Sequence, residues 1–84
     1  MELETFIKQR KHFFWDIKNP ENVSEESVVE HILNYGDFDD IRKMIQILTI
    51  EKVAHIFRKQ IHQKRNNYDK KIANYFKLYF NKHA

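Results

Sequence analysis

Apolar residues recur at helical spacing along almost the whole chain. Leu3, Phe6, Ile7, Phe13 and Phe14 share a stripe, with Lys8, Lys11 and His12 on other faces, and predict an amphipathic helix over 3–14. Val28, Val29, Ile32 and Leu33 form the stripe of a second helix. Phe38, Ile41, Met44, Ile45 and Leu48 predict a third over 38–48. Ile50, Val53, Ala54, Phe57 and Ile61 predict a fourth over 50–61. Ile72, Tyr75, Phe76, Tyr79 and Phe80 predict a fifth over 68–81. On that fifth segment Lys70, Asn74, Lys77 and Asn81 stand three or four apart and so share the opposite, outward face.

The residues between the stripes mark the corners. Asn19-Pro20 is a turn signal, because proline biases the preceding residue away from the α region. Ser24 reads as an N-cap, with Glu25 and Glu26 in the first turn, where the helix dipole favours acids. Gly36, the single glycine, is expected just past the second helix in a left-handed conformation. Asp37 then caps the third helix, with Asp39 and Asp40 in its first turn. Thr49 and Asn67 are the expected caps of the fourth and fifth. Phe13, Phe14 and Trp15 cannot all face one side of a helix, so one of them is expected to turn and pack against the fifth helix.

One Gly and one Pro in 84 residues leave little turn chemistry for a β-fold. The expectation is one all-α domain, residues 1–84: a compact bundle of four to five short helices. The third and fourth helices, joined at Leu48-Thr49, are spaced like a helix-turn-helix that lacks the usual turn glycine. A chain of this size has a stability of only about 5 kcal/mol. Its heavy aromatic load, seven Phe, four Tyr and one Trp, is one way to gather enough core. No apolar run approaches a membrane span and the first residues do not resemble a signal peptide, which implies a protein of the cytoplasm.

Charge changes this picture more than composition does. The net +3 conceals a split: residues 1–41 hold four Lys/Arg against ten Asp/Glu, and residues 42–84 hold eleven against two. Such asymmetry points to a basic face for an anionic partner. Lys52, Arg58, Lys59, Lys64, Arg65, Lys70, Lys71 and Lys77 are the candidate contacts to nucleic acid or another anion, with Lys52, His55 and Lys59 along one exposed strip. An acidic protein partner fits the same bases equally well.

Other chemistry finds little support. There is no cysteine, hence no thiolate nucleophile and no Cys-type zinc site. His12, His31, His55, His62 and His83 are scattered and are expected to be exposed, and the acids of "DFDD" read more simply as a helix start than as a cation site. No nucleophile elbow, phosphate loop or metalloprotease motif is present, so neither an enzyme, a cofactor nor a bound metal is expected. Ile47, Ile56 and Leu78 lie off the core stripes and are the expected apolar anchors of a protein–protein or homodimer contact.

"FFWDI" (13–17), "ILNYGDFDDI" (32–41) and "KKIANYFKLYF" (70–80), in that order, resemble a family of small bacterial and archaeal proteins of unknown function. Its members show an FFWD-like start, a Tyr-Gly-Asp corner and a closing Lys-Lys-Thr-x-Asn-Phe-Trp-like helix. Ile72 stands where the family tends to have Thr, Phe76 where it has Trp, and Leu48-Thr49 where it has a second glycine. Genes of that family often neighbour nucleotidyltransferase-type toxin genes of phage-defence systems. The resemblance therefore implies an antitoxin-like or regulatory protein with a toxin-like partner. It implies no particular site residues.

Overall fold

A computed structural model describes residues 3–15, 23–63 and 66–84. Five α-helices follow in order: α1 (Leu3–Gln9), α2 (Glu25–Tyr35), α3 (Phe38–Leu48), α4 (Ile50–Ile61) and α5 (Lys70–His83), with a 3-10 turn at Lys11–Phe14 after α1. Among the described residues there is no strand, and no helix is long and apolar enough to cross a membrane. The radius of gyration is 12.1 Å, close to the ~12 Å of a well-packed chain of this length. The Asn19-Pro20 turn lies outside the described residues.

α4 is the central element. It packs against α2, α3 and α5, while α5 has α4 as its main neighbour and so forms an edge of the bundle. Phe57 on α4 is fully buried, its ring 5.2 Å from Tyr68, 6.1 Å from Phe76 and 5.4 Å from Phe80. Phe6, Phe14, Val28, Val29, Ile32, Met44, Val53 and Ala54 are also fully enclosed.

The helix corners follow local hydrogen bonding. Ser24 caps α2 by accepting from Ser27 N at 3.2 Å. Asp37 and Asp40 form a reciprocal capping box at the start of α3: Asp40 N donates to Asp37 Oδ1 at 2.9 Å, and Asp37 N donates to Asp40 Oδ2 at 3.1 Å. Gly36 does not adopt the expected left-handed conformation; its φ of −77° and ψ of 160° are open to any residue. Space is what it supplies: a Cβ there would stand 2.8 Å from Ile32 O and 3.1 Å from Asp40 Cβ, so only glycine lets the end of α2 meet the start of α3 so closely.

The left-handed residue is instead Thr49, with φ 73° and ψ 150°, a region almost reserved for glycine. Its amide donates to Ile45 O at 2.8 Å to close α3, and its hydroxyl accepts from Lys52 N at 3.3 Å to open α4. Two caps on one residue hold the strained backbone in place. α3 and α4 thus meet through a single residue, a tighter corner than the three- or four-residue turn of a DNA-binding helix-turn-helix.

Four further expectations are corrected. The helix expected over 3–14 breaks at Arg10, which is buried; its Nε donates to Asp40 Oδ1 at 2.6 Å and its guanidinium lies 4.2 Å over the Phe6 ring, so the chain turns inward there. α5 starts later than expected, capped by Asp69 and not by Asn67, because Tyr68 is drawn into the core beside Phe57. Of the three neighbouring rings, Phe14 has α2 as the neighbour of its 3-10 turn, its ring 5.1 Å from His31, where α5 was expected, and Trp15 is exposed. Phe38, expected in the core, is likewise exposed.

Candidate anion-binding surface

The bases of α4 divide between two flanks because α4 has a neighbour on each side. Toward α2, Lys52 Nζ stands 3.2 Å from Glu25 Oε2, so its charge is already compensated. Two turns on, Lys59 lines a hollow of about 260 Å³ shared with Glu26 and Glu30. The seam beneath is hydrogen-bonded throughout: Gln60 Nε2 donates to Glu26 O at 2.9 Å, Tyr68 Oη donates to Gln60 Oε1, and Asn67 Nδ2 donates to Glu30 Oε1 at 2.7 Å. Burial, with Glu30 nearby, pushes the Tyr68 hydroxyl far above its ordinary range, so it stays a donor.

Toward α5 the balance differs. Arg58 Nη2 donates to Phe80 O at 3.2 Å, which fixes the guanidinium across the α4–α5 groove and leaves its other donors unspent. The groove, open to solvent, has a volume of about 350 Å³ and is lined by Arg58, His62, Lys77 and Asn81 around Ile61, with Phe57 and Phe80 buried behind; among the described residues no acid lines it. Beyond it, Lys70, Lys71, Asn74, Lys77, Asn81 and Lys82 are exposed on α5. Among the described residues none of these lysines, nor Lys59, is ion-paired.

Of the sequence-predicted contacts, Arg58, Lys70, Lys71 and Lys77 thus stand on α5 or the groove beside it, Lys52 and Lys59 lie on the acidic α2 side, and Lys64 and Arg65 fall outside the described residues. The strip of Lys52, His55 and Lys59 is exposed as expected, and so is the row Lys70, Asn74, Lys77 and Asn81. Of the expected apolar anchors, Leu78 is exposed, Ile47 is partly covered and Ile56 is buried, because α2 covers that flank of α4.

Sequence reasoning passed over three buried polar residues, Arg10, His31 and Gln60. His31, expected to be exposed, has Nδ1 2.8 Å from Ser27 O and its ring against Phe14. The signal was spacing: Arg10 follows Ile7 by three, His31 follows Val28 by three and Gln60 follows Phe57 by three, so each falls on an apolar stripe. At Asp40, burial pushes the carboxyl up, but the bonds from the Arg10 side chain and the Asp37 amide outweigh it and hold it below its ordinary value of 3.8.

Among the described residues no group of three or more His, Cys, Asp or Glu side chains could hold a metal ion. No protein-family model matches the chain, and no curated protein or solved structure does.

Proposed function

We propose that the protein is a small non-enzymatic binding module, antitoxin-like or regulatory, that docks duplex DNA through the outward face of α5. One observation carries this reading. α5 is an edge helix of fourteen residues whose exposed side carries ammonium and carboxamide groups, Lys70, Lys71, Asn74, Lys77, Asn81 and Lys82, none of the lysines ion-paired among the described residues. Ammonium groups neutralise phosphates, and asparagine can bond the major-groove edge of adenine. α4, covered by α2 and α5, contributes Arg58 from the side and does not itself offer a free helix to a groove. The resemblance to the toxin-associated family supports a regulatory role in the bacterial cytoplasm.

With about four phosphate contacts, affinity falls roughly a hundredfold between 50 and 200 mM salt. The test is fluorescence anisotropy with a labelled 20-base-pair duplex. Wild type binds with that salt dependence, and K70E/K77E abolishes binding while the melting temperature stays put. A double variant that binds like wild type overturns the reading.

A second reading rests on Leu78 and Tyr75, both exposed on α5. They support an interface with a protein partner, acidic or toxin-like, or with a second copy of the chain, without nucleic acid. Leu78→Ser then shifts the sedimentation of a complex or dimer and leaves duplex affinity unchanged.

A further inference from the structure

The α4–α5 groove differs from the α5 surface next to it, because it combines cationic donors with a partly exposed apolar floor at Ile61. We propose that this groove binds a small apolar carboxylic acid, its hydrocarbon body along Ile61 and its carboxylate held by Arg58 and Lys77. The volume, about 350 Å³, suits a small ligand and lies at the lower end of the range for such sites. Charge complementarity selects the occupant. The lining holds two cations, an imidazole and an amide, Arg58, Lys77, His62 and Asn81, with no acid among the described residues, whereas the α2–α4 hollow sets Lys59 against Glu26 and Glu30.

Arg58 is the anchor. Its bond to Phe80 O orients the guanidinium before any ligand arrives, which lowers the entropy lost on binding. A planar carboxylate matches the remaining fork of donors. Lys77, one turn before Asn81 on α5, adds a second charge from the opposite wall. A fully hydrated ion such as inorganic phosphate would gain nothing from Ile61, and an uncharged alcohol would leave Arg58 and Lys77 without a counter-charge.

This site shares Lys77 and Arg58 with the proposed duplex-binding face, so decanoate binding is read directly, in the absence of DNA. The test is a titration of the folded protein with sodium decanoate, decanol and inorganic phosphate, followed by backbone amide shifts. Decanoate produces saturable shifts in residues 57–62 and 77–81; decanol and phosphate bind at least tenfold more weakly. Lys77→Gln weakens decanoate about tenfold and keeps the fold, and Arg58→Gln does the same or more. Decanol binding as well as decanoate, shifts centred elsewhere, or unchanged affinity in Lys77→Gln overturns the proposal, and Lys77→Gln keeps it testable if Arg58→Gln unfolds.

Discussion

The two flanks of α4 carry the same kinds of base and use them differently. On the α2 side Lys52 is paired with Glu25, Lys59 sits near Glu26 and Glu30, and Gln60 and Tyr68 close the seam with hydrogen bonds. On the α5 side Arg58 binds only a backbone carbonyl and the lysines of α5 have no carboxylate partner among the described residues. On one flank the bases face carboxylates. The other keeps its charge available. Counting bases along the chain does not distinguish the two, because the compensating acids come from a helix about 27 residues away.

The comparison is broken most completely at the residue both flanks depend on. Phe57→Ala removes the ring that seats Tyr68, Phe76 and Phe80. It costs about 3–5 kcal/mol, most of the stability of a chain this size, and urea denaturation shows both flanks melting together. Asp40→Asn tests a contact belonging to neither flank. It strips the charge facing buried Arg10 and costs about 2 kcal/mol at pH 7 by thermal melting, with groove binding intact in the folded fraction. Because the folded Asp40 carboxyl titrates below its unfolded value, its contribution is complete above about pH 4 and is lost as pH falls through the folded value. The gap between wild type and Asp40→Asn therefore narrows on acidification.

A smaller change separates the flanks. Tyr68→Phe leaves buried Gln60 Oε1 without its donor and costs about 1–2 kcal/mol in urea denaturation, while duplex affinity at 50 mM salt is unchanged. Thr49→Gly acts in the other direction. It relieves a left-handed β-branched residue, loses little as a cap, and raises stability by about 1 kcal/mol without altering either flank's binding.

Much of the fold was legible. The stripe of α3 and the Asp37 cap predict Phe38–Leu48, and Thr49 with the next stripe predicts Ile50–Ile61, because caps and periodicity there agree with packing. The α1 end was not: spacing puts Arg10 on the apolar stripe, but the acid that lets its guanidinium be buried lies thirty residues on. The start of α5 shifted because Tyr68 gains more from the Phe57 ring and Gln60 than from another helical turn. Gly36 was located correctly for a different reason, close approach in place of handedness. For the candidate site, the outward Lys/Asn row of α5 was visible in its spacing, whereas the division of α4's bases appears only once α2 and α5 are in place.

The central claim is that available positive charge lies on the α5 side and compensated charge on the α2 side. Its most direct test is the salt dependence of duplex binding in two paired variants, Lys70→Gln/Lys77→Gln and Lys52→Gln/Lys59→Gln. The account predicts that the first pair lowers the slope of log affinity against log salt by about 2 and that the second leaves it nearly unchanged. Equal losses in the two pairs, or a larger loss in the second, would contradict it.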